Sequence, residues 1–316
     1  MLAAALDLGT NTFCLLVAEV VDGRLRELAR RRVTVRLGEG LVSGARLQSL
    51  AIERGLCALE AFRPVLADWP GCCLRVFGTE ALRRAVNRDS FLLPASHLLG
   101  RSVEVLAGTQ EAAFSLRGAL SCLEGVRPDA VWLADVGGGS SELALALAED
   151  GNTGQHCSWS YSLPLGAVGL SEGCPEEEAM NHHIHQQLVL ALAAAPPTPP
   201  AATLLATGGS ASAMACLHLG LKQYERERVQ GLCLTVTDLA AMEQRLGQLS
   251  PAKRNKIPCL GDRRGEILPA GIRIFHSLLN VLGIPALTIC ESGFLEGALF
   301  AAAESEGQAL ISAKSC

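Results

Sequence analysis

Two stretches of this sequence follow one plan, and that plan limits the fold more than any other feature. Each is an apolar run that ends on an aspartate, a tight turn of glycine and hydroxyl or amide residues, and a second apolar run that returns at once. In the first, residues 2–8 carry Asp7 near their end, Gly9-Thr10-Asn11 turns, and residues 12–20 return. In the second, Ala130 to Val136 carries Asp135, Gly137-Gly138-Gly139-Ser140-Ser141 turns, and Glu142 to Ala148 returns. Apolar runs of strand length around a glycine turn predict β-hairpins. Val21-Asp22-Gly23 turns again into a third strand, Leu25 to Leu37, and residues 157–163 take that part in the second stretch. A strand–turn–strand opening differs from the strand–turn–helix opening of dinucleotide-binding and P-loop folds, and neither turn carries GxGxxG or GxxxxGK[ST]. The recurrence predicts two structural copies of one lobe, although their sequence identity is slight.

The remaining apolar spacing predicts helices over 47–68, 80–88, 109–123, 176–194, 211–219, 237–248, 263–281 and 293–304, with Thr109 as an N-cap. Strands are predicted at Leu74 to Gly78, Val103 to Leu106, 203–207 and Ala286 to Cys290. Pro196, Pro197, Pro199 and Pro200 make a local break between a helix and a strand, and the final segment GQALISAKSC reads as a frayed tail. A length of 316 residues suits two domains sharing one cleft, or one large domain. No apolar run reaches the roughly 18 residues that a membrane span needs. The N-terminus lacks a basic leader and reads as strand, turn and strand rather than a signal peptide. The net charge of −5 argues against bulk nucleic-acid binding and leaves room for a local basic groove. Twelve scattered cysteines without a CxxC pair fit buried thiols in a cytoplasmic protein, with a zinc site as the lesser alternative.

The turns carry the chemistry. A glycine turn after a strand lets backbone N–H groups point at a phosphate with no side chain in the way. A third such segment, Thr207-Gly208-Gly209-Ser210, follows the strand at 203–207. A carboxylate cannot bind phosphate directly, so the acids ahead of the first two turns suit Mg²⁺ binding or the orientation of water.

The whole pattern resembles the superfamily of sugar kinases, heat-shock ATPases and actin, in which two hairpin turns grip phosphates. Within it the sequence is more similar to the exopolyphosphatase and guanosine pentaphosphate phosphatase family. The segments ALDLGTNTFCLLVAEV, FGTEALRRAVN, VLAGTQEAAFSLRGA, ADVGGGSSELAL, SLPLGAVGLSE and LLATGGSASA carry the resemblance in order. It runs nearly end to end and thins after about residue 220. It implies an α/β, two-lobed actin-like (ribonuclease H-like) fold, each lobe a mixed sheet flanked by helices, with the active site in the cleft between lobes. The N-terminal lobe is expected over 1–125, completed by a C-terminal helix at 297–316, and the second over 126–296.

The resemblance also implies roles. Glu111 stands where the family keeps the glutamate that orients or deprotonates the attacking water; its neighbour, usually also glutamate, is Gln110. Asp135 and Glu142 match the acids around the glycine turn, implicated in binding Mg²⁺ (or another divalent cation such as Mn²⁺), and Asp7 is the corresponding acid of the first lobe. Gly9, Thr10, Asn11, Gly138, Gly139, Ser140, Gly208 and Gly209 match phosphate-cradling turns. Arg83 and Asn87 match an R-x-x-x-N helix that contacts phosphate, and loss of the Arg83 side chain is expected mainly to weaken substrate binding. The sequence departs from the family at Leu295, where an arginine is usual, and at Ser141, where threonine is commoner. Longer members add a C-terminal helical domain; without one, a short-form member with a weaker grip on long chains is expected.

The function implied is an exopolyphosphatase that releases orthophosphate from the ends of inorganic polyphosphate. A guanosine pentaphosphate 5′-phosphohydrolase, a weakly catalytic protein that binds polyphosphate or guanosine penta- or tetraphosphate, and a sugar or acetate kinase stand as alternatives. No nucleic-acid or membrane partner is expected, and the resemblance makes a homodimer plausible. His182, His183 and His185 read as an exposed polar face rather than a metal tract. Arg30, Arg31, Arg32 and Arg36 read as a solvated strand edge that could line a polyanion path, to which Arg263 and Arg264 could contribute.

Overall fold

The structure is a computed structural model that describes residues 1–123, 128–148, 155–174, 176–260 and 263–314. The chain opens with three antiparallel strands, β1 (Leu2–Leu8), β2 (Thr12–Val21) and β3 (Arg24–Thr34). Then come α1 (Leu41–Gly44), α2 (Ser49–Ala67), β4 (Cys73–Gly78), α3 (Glu80–Arg84), α4 (Asp89–Leu99), β5 (Val103–Val105) and α5 (Gly108–Leu120). A second set follows: β6 (Ala130–Val136), β7 (Ser141–Ala148), β8 (Gln155–Leu163), α6 (Ala167–Gly173), α7 (Glu177–Leu192), β9 (Thr203–Thr207) and α8 (Gly208–His218). It continues through α9 (Arg226–Val229), β10 (Cys233–Thr235), α10 (Val236–Gly247), α11 (Pro251–Arg254), a 3₁₀ turn at Pro258–Leu260, α12 (Arg264–Leu282) and β11 (Ala286–Ile289). The last helix is α13 (Phe294–Lys314).

Two compact units result: residues 1–121 with the segment from Ser292 onward, and Cys122–Glu291. The expected boundary at 125/126 falls on residues outside those described. The first unit holds a five-stranded sheet in the order β3-β2-β1-β4-β5, with β1, β4 and β5 parallel. The second holds a six-stranded sheet in the order β10-β11-β9-β6-β7-β8, with β6, β9 and β11 parallel. Each is a mixed sheet flanked by helices.

Strand β1 shows why the first unit is layered. Side chains alternate across a strand, so Ala4, Leu6 and Leu8 enter one core with Phe13, Leu59, Phe62 and Phe91. Ala3 and Ala5 enter the other, with Leu16, Phe77, Phe294, Leu295 and Leu299. Small residues on that second face leave room for α5 and α13, which meet backbone to backbone. A Cβ on Gly118 would lie 1.9 Å from the Gly293 carbonyl oxygen, and one on Gly297 would lie 1.8 Å from that of Phe114. The second unit closes around Trp132, Leu145, Leu204, Met214, Phe275 and Leu278.

Several expected elements differ. The helix expected over 80–88 ends at Arg84, because Ala85 turns to extended backbone and Asn87 leaves the helix. A separate helix, α4, follows, with Pro94 inside it. Helix α5 starts at Gly108, so Thr109 is not its cap; the Gln110 side chain instead accepts from the Ala107 N–H at 3.0 Å. Helix α8 starts at Gly208 itself rather than at 211. The third strand stops at Thr34, short of Leu37, and the segment expected to fray is helical through Lys314. Among the described residues no helix is long and apolar enough to cross a membrane.

Candidate functional site

In sheets of this kind, ligands bind outside the carboxyl ends of the parallel strands. In the first unit those ends are Leu8 of β1, Gly78 of β4 and Val105 of β5. They align because Leu8 pairs with Gly78, and Gly78 with Val105. Three segments leave this edge: the turn Gly9-Thr10-Asn11, helix α3 and helix α5. The turn is braced from behind. The Asn11 carbonyl accepts from the N–H groups of Val35 (2.9 Å) and Arg36 (2.8 Å), and the Thr10 carbonyl accepts from Gly38 (2.9 Å).

Helices α3 and α5 bring Arg83 and Glu111 together. Arg83 Nη1 donates to Glu111 Oε2 at 3.0 Å and to the Leu106 carbonyl at 2.8 Å. Its Nε and Nη2 both donate to Glu80 Oε2, at 2.9 and 2.6 Å. Burial alone would depress the guanidinium's pKa; Glu111 and Glu80 outweigh it and raise the value. One cation is therefore shared by two carboxylates, and Glu111 is fixed in the first turn of α5. Sequence reasoning missed Glu80, whose signal was its position three residues before Arg83 on a helix face. Asn87 is placed elsewhere. Its Oδ1 accepts from the Leu47 N–H (2.8 Å) and its Nδ2 donates to the Leu47 carbonyl (3.0 Å), so both ends of the amide pin the chain entering α2.

In the second unit the parallel strands β6, β9 and β11 end at the Gly137–Ser140 turn, the start of α8 and Glu291. Asp135 and Glu142 are direct partners across β6 and β7. Their side chains share one face of the sheet, where like charges oppose each other at a cost. Glu142 is 2% exposed, and its Oε1 accepts from Ser162 Oγ at 2.7 Å. The Gly137 and Gly138 carbonyls are bonded by the Ala167 and Val168 N–H groups at the start of α6 (3.0 and 2.9 Å). Gly166 lies so close that a Cβ there would be 2.3 Å from the Gly138 carbonyl oxygen.

The segment at Gly208 and Gly209 is the first turn of a helix rather than a loop. Gly208 has φ +89°, and a Cβ on it would lie 2.4 Å from Asp135 Oδ1, so only glycine lets strand become helix beside that carboxylate. Arg264 Nη1 donates to the Gly209 carbonyl at 2.8 Å. A guanidinium beside the N-terminus of α8 adds charge to a terminus whose N–H groups already favour anions. Glu291, 5% exposed, accepts from Ser212 Oγ (2.7 Å) and from the Tyr224 hydroxyl.

Among the described residues no group of three or more His, Cys, Asp or Glu is placed to hold a metal ion, the 182–185 histidines included. Asp135 and Glu142 do make a two-carboxylate donor set. That suits Mg²⁺, which is commonly bound through one or two carboxylates, with substrate phosphates and water completing its shell.

The sequence pattern of the Ppx/GppA phosphatase family matches residues 16–306. The chain belongs to the Ppx/GppA phosphatase family. A guanosine-5′-triphosphate,3′-diphosphate pyrophosphatase of Aeromonas hydrophila is 30% identical over 311 residues, 95% of this chain and 59% of that protein. The chain thus spans well under two thirds of that relative's length. Among solved structures, an exopolyphosphatase-like protein superposes with TM-score 0.86 at 26% identity, covering 95% of this chain and 98% of that one. A Ppx/GppA family member of Aquifex aeolicus superposes with TM-score 0.78 at 26% identity, covering 97% and 98%. The α/β fold with two mixed sheets is the fold of these relatives.

Two departures from the family pattern have defined places in the structure. Leu295 is 6% exposed in the core shared by Ala3, Ala5 and Phe77. Gln110 caps α5 through its side-chain oxygen.

Proposed function

We propose that this Ppx/GppA phosphatase hydrolyses the terminal phosphoanhydride bond of inorganic polyphosphate and releases orthophosphate. The observation that carries this reading is Glu111, a carboxylate held by Arg83 at the carboxyl edge of the first sheet. Phosphoanhydride hydrolysis is mostly positioning and charge neutralisation. It needs one carboxylate to handle water and donors or cations on the non-bridging oxygens. In this reading Glu111 orients the attacking water and takes its proton. The backbone N–H groups of the turns at Gly9, Thr10 and Asn11 and at Gly138, Gly139 and Ser140, with Gly208 and Gly209 at the start of α8, cradle phosphate. Asp135 and Glu142 would hold Mg²⁺ or Mn²⁺, with Asp7 as their counterpart in the first unit. When bound, the metal neutralises phosphate charge and removes the repulsion between the two facing carboxylates.

A second reading, a guanosine pentaphosphate 5′-phosphohydrolase, is favoured by the Aeromonas hydrophila relative. A third reading, a weakly catalytic protein that binds polyphosphate or guanosine penta- or tetraphosphate, rests on Gln110 and Leu295 and is separated from the other two by turnover. A cytoplasmic homodimer belongs to the same proposal. The test is phosphate release from long-chain polyphosphate and from guanosine pentaphosphate in parallel, with and without Mg²⁺. Metal-dependent release from polyphosphate is expected. Faster release from guanosine pentaphosphate would move the assignment to the second reading, and release from neither would sink both.

A further inference from the structure

We infer that Glu80 is a positioning residue that locks Arg83 onto Glu111. The inference rests on the reading of Glu111 as the residue that handles water. Glu80 is 9% exposed and opens α3, one turn before Arg83 on the same face. Its Oε2 takes the Nε and Nη2 edge of the guanidinium, the edge with which arginine otherwise grips a carboxylate or phosphate by two parallel bonds. That leaves Nη1 to face outward from α3, with one bond to the Leu106 carbonyl and one to Glu111. The Leu106 carbonyl is itself fixed, because the Leu106 N–H donates to Gly78 at 3.0 Å, which ties the segment ahead of α5 to β4.

The consequence is directional. A free arginine side chain loses its aim through several rotatable bonds, and a displacement of about 1 Å at a reacting group costs on the order of 100-fold in rate. Glu80 removes that freedom by holding the guanidinium plane from behind. Arg83 then works through Glu111, as a second link in the same chain. With its forked edge on Glu80, Arg83 is inferred to act on turnover rather than on affinity, whereas the sequence alone led to the expectation of a phosphate contact.

The experiment compares the full-length wild type with Glu80→Gln and Glu80→Asp, using long-chain polyphosphate and Mg²⁺. Glu80→Gln keeps the shape and removes the charge; kcat is expected to fall by about tenfold or more while KM stays within about twofold. Glu80→Asp keeps the charge and is expected to recover part of kcat. The Arg83 Nε–H signal in ¹⁵N NMR reads the clamp without turnover. It is expected to be shifted downfield and slow to exchange in the wild type, and to lose both properties in Glu80→Gln. An unchanged kcat in Glu80→Gln, or a fall in KM at undiminished kcat, would overturn the inference, the latter by making Glu80 a competitor of phosphate for Arg83. An identical Arg83 signal in both proteins would overturn it as well. If the wild type releases no phosphate, the functional reading fails on its own, and the NMR comparison still decides whether Glu80 holds Arg83.

Discussion

The two glycine hairpins look alike in sequence and differ at one paired position. In the first unit Asp7 faces Cys14 across the strands; in the second, Asp135 faces Glu142. The first hairpin therefore presents one acid beside its turn, and the second presents two on the same face. Two carboxylates facing each other across a strand pair repel when both are charged, and a cation between them would relieve that cost. Under the proposed function the difference would divide the labour: the second hairpin would hold the metal, and Glu111 of the first unit would manage water.

The sharpest way to break that division is Glu111→Gln. Turnover is expected to fall by about 10²- to 10⁴-fold, while the Mg²⁺ concentration giving half-maximal residual activity stays where it was. A shift of that midpoint would place Glu111 on the metal. Glu142→Gln should do the reverse, raising the Mg²⁺ requirement by about tenfold or more, as loss of a metal-site group commonly does. It keeps the Ser162 partner and removes the repulsion with Asp135, so the metal-free protein should melt no lower than the wild type; a clear fall in Tm would argue against the electrostatic account.

Backbone bracing gives a smaller contrast. Gly166→Ala sets a Cβ 2.3 Å from the Gly138 carbonyl oxygen, which is main chain. Gly38→Ala sets one 2.3 Å from Thr10 Cγ2, which is side chain rather than main chain. Losses of about 3 and about 1 kcal/mol are expected, read from urea melts, and equal losses would mean that the two turns are braced alike. Asp7→Asn should have the least effect on the metal titration, less than Glu142→Gln, because its register partner across the hairpin is Cys14 and not a second carboxylate.

The hairpins were legible because apolar runs around glycine are a strong local signal. The acid pair 135/142 was also named from sequence, though not its register. What escaped depends on partners distant in sequence. Helix α3 stops where Asn87 is drawn to the Leu47 backbone, 40 residues away, and no local propensity records that. Helix α4 was hidden by Pro94 in its interior. Gly208-Gly209 read as a loop because two glycines suggest a turn, whereas the strand runs straight into α8. Glu80 was overlooked because an arginine in a familiar motif drew attention to its expected ligand rather than to its neighbour three residues back.

The seam between α5 and α13 has a consequence in time. The first unit is built from residues 1–121 and a segment that begins at Ser292, so the 170 residues 122–291 must leave the ribosome before that segment starts to arrive. At about 5–20 residues per second, that is a wait of roughly 10–35 s. Throughout it, Ala3, Ala5, Leu16 and Phe77 lack the cover of Phe294, Leu295 and Leu299. Residues 1–121 are thus made before the second unit and completed only after it, and the helix bearing Glu111 waits that long for its backbone neighbour.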